Sequence, residues 1–312
     1  MNEAIRPLGS PGPLARRLVG IYRLADPKIM LASLVPFAAG AAIAHREGAR
    51  VSPLLAVLAL GAVFGVEVGK NAVNDLYDFR SGADLGVRPE ERTPFSGGKR
   101  VLVDGLLTER QVIANAFAGF AFALLLGLYL ALAVDPRLFA LGALGAAVSI
   151  AYTAPPFRLS YRGLGELAVF ATYGPGIVLG AEALFAGRIT PVAVWVSLSL
   201  GALIANVLLV NELPDERADR GAGKRTWVVR LGRRGATRIA LALFLAGFGL
   251  PWIAIAAGQT ARLAGVLLGV PAAAIAMREL TRPSGVRIVV AEAATLLAYV
   301  LAGAGLAVAL LV

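Results

Sequence analysis

Hydrophobic positions in this chain gather into long runs, not into the short alternations of strands or the single stripes of soluble helices. A membrane-spanning helix needs about 20 mostly apolar residues. Nine runs approach or exceed that length, at 27–45, 52–72, 111–133, 137–154, 164–186, 191–211, 236–257, 261–278 and 288–311, the eighth being short. Pro36, Pro175, Pro251 and Pro271 fall inside runs and predict kinks or local gaps in hydrogen bonding, which a bundle tolerates. The pattern predicts an all-α integral membrane protein, one bundle of nine transmembrane helices filling 1–312 as a single domain. A 1–26 arm precedes the first run, and its "LARRLVGIYRL" reads as an amphipathic helix lying on the membrane surface.

Composition agrees. Of the 312 residues, 58% are hydrophobic and only 16% charged, against about 25% charged in ordinary soluble domains. The absence of cysteine and the single histidine, His45, exclude disulfides and thiolate sites and leave no basis for a histidine metal site or a Ser-His triad. The net charge of +10 does not call for nucleic acid, because basic residues collect in the cytoplasmic loops of multi-pass proteins. With the N-terminus inside and nine helices threaded, 25 of the 30 Lys and Arg fall on the cytoplasmic side. The outer turns hold the other 5: Arg46, Arg50, Arg137, Arg188 and Arg262. The split predicts an inner (cell) membrane protein with its N-terminus and long loops in the cytoplasm.

Two of those loops open with acids: "NDLYDFRSGAD" after the second run and "NELPDERADRGAGKR" after the sixth. They predict two acidic loops capping a central cavity. On a helix, Glu67, Asn71, Asn74 or Asp75, and Asp78 share one face. Asp84 lies beyond Gly82, and Asn211, Asp215 and Asp219 form a second stripe, interrupted by Pro214. Carboxylates and amide oxygens without His or Cys suit a hard cation, Mg²⁺ above zinc or copper, and Mg²⁺ commonly binds through a few carboxylates plus substrate phosphates. Lys70, Arg80, Lys99, Arg100, Lys224 and Arg225 stand near the acids, so the combination describes a diphosphate site at the cytoplasmic membrane edge. For Glu90, Glu91 and Glu216, solvation of a loop start is the simpler account. The connection "YTAPPFRLSYRGLGEL" brings Tyr152, Arg158, Tyr161 and Arg162 to the same side, where aromatic and basic residues also serve as interfacial anchors. Glu67 lies one turn from Lys70 and can pair with it, and Glu182 and Glu292 receive no role.

Together these residues resemble the UbiA superfamily of membrane prenyltransferases. The resemblance covers most of the chain. The first family motif corresponds to Asn74, Asp75, Asp78 and Asp84, and the second to Asp215 and Asp219 preceded by Asn211. Motif spacing is closest to the branch that prenylates 1,4-dihydroxy-2-naphthoate in menaquinone synthesis, although Arg158 stands where many members carry Lys. The resemblance implies Mg²⁺-dependent transfer of a prenyl group from a prenyl diphosphate to an aromatic acceptor. Asp75, Asp78 and Asp84 would bind one Mg²⁺, and Asp215 and Asp219 another. Asn71, Asn74 and Asn211 would orient ligands, while Lys224, Arg225 and Arg158 would neutralise the departing pyrophosphate. Tyr152, with Arg158, would close the pocket from the neighbouring connection, and Tyr161 and Arg162 would contact substrate. Two alternatives stand beside this reading. One is a relative using hydroxybenzoate, homogentisate, a porphyrinoid or a glycerol lipid as acceptor. The other is an ion-coupled transporter, which the position of the aspartates at helix ends disfavours, since transporter sites lie near the midplane.

Overall fold

The computed structural model describes residues 12–27, 29–282 and 287–312. Expectations for the first eleven residues of the arm, for Lys28 and for 283–286 lie outside the described residues. Among the described residues the regular structure is helical. The order is α1 (Pro13–Ala25), α2 (Ile29–Arg46), α3 (Pro53–Ser81), α4 (Ala83–Gly86), α5 (Glu109–Ala133), α6 (Arg137–Ala151), α7 (Gly165–Ala171), α8 (Ile177–Ala186), α9 (Pro191–Asn211), α10 (Glu216–Gly221), α11 (Trp227–Ala256), α12 (Val270–Leu280) and α13 (Ile288–Leu311).

Eight segments among the described residues are long and apolar enough to cross a membrane, α1 and α2 counting as one. The predicted fourth span is apolar, but α6 has 15 residues, a length of about 22 Å at about 1.5 Å per residue. Its two ends nevertheless reach opposite ends of the bundle. Arg137 donates to the Gly187 carbonyl, in the turn between α8 and α9, at 3.4 Å, whereas Tyr152, just past the helix, lines the cavity that holds the acidic motifs.

Helix boundaries follow local chemistry. Ser52, Thr108 and Thr190 each cap a helix start by accepting a backbone N–H, with Pro53 and Pro191 at the first helical position. α3 runs to Ser81, well past the end of its apolar run, and stops at Gly82 with φ 83°. The acidic stripe is thus the polar last turns of a spanning helix. α11 starts at Trp227, ahead of the predicted 236, and bends at Gly232 (φ 65°, ψ 174°), not at Pro251. Pro175 does mark a break, a π-helical turn over Thr172–Gly176 between α7 and α8. Pro271 lies in the first turn of α12, preceded by a 3-10 stretch over Ala261–Gly269.

In lipid the hydrophobic effect does not hold helices together; close packing of small residues and interhelical hydrogen bonds do. A Cβ on Gly65 of α3 would stand 2.7 Å from the Gly119 carbonyl oxygen of α5, so the two backbones touch where no side chain fits. The central helix α9 is buried over most of its length. It is tied to α11 by Ser199 donating to Gly247 O at 2.5 Å and Asn206 donating to Ala240 O at 3.0 Å. Tyr299 of α13 donates to Ala32 O of α2 at 2.6 Å. At the end of the bundle away from the acidic motifs, Arg188 pairs with Glu47 at 2.9 Å and Glu182 accepts from the Thr190 amide at 3.0 Å, giving that glutamate a structural role.

The arm helix α1 is amphipathic. Leu14, Leu18, Val19 and Tyr22 are exposed along it, while Leu24 is buried against Ala72, Leu76, Val101 and Leu107. Asn71 donates to the Leu24 carbonyl at 2.9 Å, and Arg23 pairs with Asp104 at 2.6 Å. The first contact ties α1 to the end of α3 that carries the acidic motif, and the second ties it to the loop that leads into α5.

Candidate active site

A cavity of about 1260 Å³ opens among α3, α6, α7–α8 and α9. Its wall is mostly apolar, from Phe37 and Leu130 to the length of α6. Its polar end is formed by Asn74, Asp78, Asp84, Asn211, Asp215, Asp219 and Lys224. The two acidic segments, far apart in sequence, meet there.

Asp78 is the hub. Its Oδ1 accepts from the Tyr161 hydroxyl at 2.9 Å, and its Oδ2 accepts from Lys224 Nζ at 2.9 Å and from Asn74 Nδ2 at 3.1 Å. Lys224 also lies 3.4 Å from Asp219 Oδ1, so one ammonium joins the two motifs. The Tyr161 ring is flanked by Lys224 Nζ at 5.3 Å and the Arg158 guanidinium at 4.8 Å from its centroid. Burial works against charge on Lys224, but Asp78 and Asp219 hold it well above the ordinary lysine range. Burial pushes the Tyr161 phenol up, and the Asp78 carboxylate adds to the shift.

Among the acids that line the cavity, Asp84, Asp215 and Glu212 have unmet capacity. Asp84 Oδ2, Asp215 Oδ1 and the Asn211 side-chain oxygen are buried without a hydrogen-bond partner. Burial, reinforced by Asp78, pushes Asp84 up to about 8, with Lys224 pulling the other way. Burial pushes Asp215 up to about 7 against the stabilising Gly97 amide, which donates to its Oδ2 at 3.0 Å. Asp219 is raised as well, by burial opposed by Lys224. Gly98, at φ 74°, passes so close to Asp84 that a Cβ would stand 2.3 Å from Oδ1. Unpaired acidic oxygens at the mouth of a cavity are costly as they stand, and they suit a hard divalent cation. Among the described residues no three acidic side chains converge closely enough to hold an ion by themselves. That arrangement fits Mg²⁺ shared between a few carboxylates, water and a phosphate ligand.

The remaining predicted residues separate into two groups. Asn71, Asn74, Asn211 and Tyr152 line the cavity. Arg158 does not line it, but its Nε is buried without a partner behind the Tyr161 ring. Asp75 is fully buried and turned away: its Oδ1 and Oδ2 accept the Val101 and Leu102 amides at 2.9 and 3.1 Å. It organises the loop after α4, and the structure does not bring it to the cavity. Arg162 and Arg225 are exposed and lie outside it; Arg162 donates to Pro156 O at 2.9 Å, and the Arg225 amide donates to Tyr161 O at 3.1 Å. The second stripe is not one helix either, since α9 ends at Asn211 and α10 begins at Glu216.

The first acidic segment was expected to cap the cavity, and the stretch that does so is the loop over 92–100, whose residues line the cavity. Thr93 donates to Glu292 of α13 at 3.0 Å, and Lys99 pairs with Asp26. The paired glycines of "FSGGK" lie in it. Glu212 also lines the cavity, pushed well above the ordinary range by burial and by the facing Glu166.

The UbiA prenyltransferase family profile matches residues 33–292. The 1,4-dihydroxy-2-naphthoate octaprenyltransferase of Mycobacterium tuberculosis is 36% identical over 208 residues, covering 67% of this chain and 68% of that protein. UbiA prenyltransferase domain-containing protein 1 of Dictyostelium discoideum is 31% identical over 240 residues, covering 75% of this chain and 70% of that protein. Among solved structures, a UbiA homolog from Archaeoglobus fulgidus bound to DMAPP and Mg²⁺ superposes with a TM-score of 0.67 at 16% identity, covering 92% of this chain and 99% of that one. The apo structure of a UbiA homolog from Aeropyrum pernix gives a TM-score of 0.65 at 22% identity, covering 90% and 98%. With its apolar helices, its buried acidic cluster and a family match across most of its length, the chain belongs to the UbiA prenyltransferase family and is a membrane-embedded prenyltransferase.

Proposed function

We propose that this enzyme transfers a prenyl group from a prenyl diphosphate to 1,4-dihydroxy-2-naphthoate or a closely related quinone precursor, with Mg²⁺, releasing pyrophosphate. The observation that carries the reading is the set of unpaired buried oxygens on Asp84, Asp215 and Asn211 at the polar end of a large apolar cavity. A ligand with a charged head and a long hydrocarbon tail matches that division. The relatives named for naphthoate prenylation and the homolog bound to DMAPP and Mg²⁺ support the acceptor and the metal.

In this reading Asp78, Asp84, Asp215 and Asp219 would hold Mg²⁺ together with the diphosphate, and Asn74 and Asn211 would orient ligands or water. The bound metal supplies charge neutralisation on the diphosphate oxygens. Lys224 meets the negative charge that develops as the allylic carbon–oxygen bond breaks, and a preorganised cation in a site of low dielectric stabilises that charge more than water does. The Tyr161 hydroxyl and Arg158 fix the position of Asp78 and the Tyr161 ring. Tyr152 stands at the polar end, where an aromatic side chain suits an acceptor ring and an allylic cation. The apolar wall excludes water from that cation. The acceptor carbon attacks the allylic cation, and the ring regains aromaticity by losing the group at that carbon, either a proton passed to water or to the released pyrophosphate, or the carboxylate as carbon dioxide. Asp75, Arg162 and Arg225 fall outside the proposed set, Asp75 because its oxygens are already satisfied.

The chain is proposed to cross the membrane nine times, with α6 as a short span. Its N-terminus and the acidic end would lie in the cytoplasm of a cell membrane. The deciding experiment incubates purified protein and Mg²⁺ with prenyl diphosphates of several lengths and a panel of aromatic acids, reading products by mass spectrometry. Prenylated naphthoate is the expected product. Transfer to another acceptor class alone would refute the naphthoate assignment, and no pyrophosphate release with any pair would refute the reaction.

A further inference from the structure

Lys70 and Asp78 lie eight residues apart on α3, about 12 Å along the axis, and both line the cavity. Around Lys70 a second polar cluster is built into the apolar wall. Lys70 pairs with Glu67 and donates to the Tyr173 hydroxyl at 2.8 Å. Tyr173 in turn donates to Glu67, which also accepts from Ser33 at 3.0 Å. Glu67 and Tyr173 are both buried. Tyr173 comes from the π-helical turn, so a backbone irregularity between α7 and α8 carries it.

The hydrogen bonding of this cluster is nearly closed. Glu67 accepts on both oxygens, and Tyr173 donates once and accepts once. Lys70 is the exception. An ammonium has three N–H groups; two are engaged, and among the described residues nothing takes the third. That proton belongs to a side chain lining the cavity, in a wall that is otherwise largely apolar. A desolvated ammonium N–H is best satisfied by an anionic oxygen, since charge-assisted hydrogen bonds are roughly twice as strong as neutral ones. The diphosphate end, 12 Å away by the estimate above, has Lys224 as its own cation. A ring placed between the two cations would face the reacting carbon of a donor whose diphosphate lies against Lys224.

We propose that Lys70, held in place by Glu67 and Tyr173, binds an ionised oxygen of the aromatic acceptor, a carboxylate or phenolate, and so selects acidic aromatics over neutral ones. This assignment rests on the prenyl-transfer reading. The Glu67–Lys70 pair keeps the empty pocket neutral, so the cation is available without the cost of an unpaired buried charge.

The test uses the full chain in lipid nanodiscs and two stable probes, 1-hydroxy-2-naphthoate and the neutral 1-methoxynaphthalene, with geranyl diphosphate and Mg²⁺ for the donor site. The wild type is expected to bind the acid at least about tenfold more tightly than the ether. Removing both charges together, Glu67→Gln with Lys70→Met, keeps the pocket neutral and should narrow the preference to about twofold or less. Donor affinity should stay within about twofold. Lys70→Arg should retain most of the preference. If the double variant keeps the acid preference, or loses donor affinity as much as acceptor affinity, the proposal is overturned. A cooperative thermal transition reports that the variant is folded; should the double variant lack one, Lys70→Arg and Tyr173→Phe decide, and an unchanged preference in Tyr173→Phe with a lost one in Lys70→Arg would equally overturn it. Binding is read without turnover, so a wild type that releases no pyrophosphate would refute the transfer reaction and leave this comparison standing.

Discussion

Lys224 Nζ lies 2.9 Å from Asp78 Oδ2 and 3.4 Å from Asp219 Oδ1, so a lysine from the second acidic segment joins the two motifs at one point. It occupies a position between carboxylates that a metal and a diphosphate would otherwise have to bridge. Two consequences follow, one for the empty enzyme and one for turnover.

Removing the cation leaves Asp78 and Asp219 facing each other in a buried site. Breaking a buried pair in this way costs about 3–5 kcal/mol. Lys224→Ala should therefore lower the melting temperature without metal and recover part of the loss when Mg²⁺ is added. It should also cut kcat by about tenfold or more, because the ammonium acts on charge that develops in the transition state. Unchanged kcat and donor KM would separate Lys224 from pyrophosphate.

Asp75 and Asp78 sit three residues apart on one helix and have different work. Asp75 holds two backbone amides of the loop after α4. Asp75→Asn should destabilise the protein by about 1–3 kcal/mol while Mg²⁺ still raises the melting temperature. Asp78→Asn should fold and lose most activity and most of the Mg²⁺ response. Equal Mg²⁺ responses in the two variants would contradict the assignment. Calorimetry of both, with and without Mg²⁺, makes the comparison.

The acidic end predicts a pH dependence with a definite sign. Asp84 at about 8 and Asp215 at about 7 lie above the ordinary carboxylate value of 3.8. Between that value and these, the folded state binds more protons than the unfolded one. Stability of the metal-free protein should therefore fall as pH rises from about 4 to about 8 and then level off. Mg²⁺ displaces the protons, so its stabilising effect should be larger near pH 8 than near pH 6. Thermal unfolding at both pH values measures this, and a smaller effect at the higher pH would contradict it.

Orientation is testable by labelling. Cysteine at exposed Gly223 should react only from the cytoplasmic face, and at exposed Gly48 only from outside. Cysteine at Ser96 must share the side of Gly223, because Gly97 is hydrogen-bonded to Asp215. Labelling of positions 96 and 223 from opposite faces would refute the nine-pass arrangement.

Much of the bundle was legible in the sequence, because hydropathy alone marks a membrane-spanning helix, whether it faces lipid or the bundle centre. The 191–211 and 288–311 runs coincide with α9 and α13. Where charge enters a helix, the same signal fails. Hydropathy ended the second run at 72, but the backbone continues helical to Ser81, because an Asn and Asp stripe at a cavity wall is compatible with helix. The site was legible as a meeting of two acidic segments with Lys224. Which aspartate faces the cavity was not. Asp75 and Asp78 look alike in a motif, and only the fold of the loop at Val101 and Leu102 decides that Asp75 turns away. The setting of Lys70 was half legible, since its pairing with Glu67 follows from spacing but its partner Tyr173 comes from a π-turn 103 residues on, for which sequence patterns give no register.

The cavity places its charged end at the edge of the bundle and its hydrocarbon wall along α6, among lipid-exposed helices. A ligand shaped to fit both ends partitions into the bilayer before it binds. Its effective concentration is then a mole fraction in lipid, not a molarity in buffer. Adding inert lipid or detergent at fixed total substrate dilutes such a ligand in two dimensions, so an apparent KM expressed in molar units should rise in proportion to the amphiphile present, while one expressed per mole of lipid stays constant.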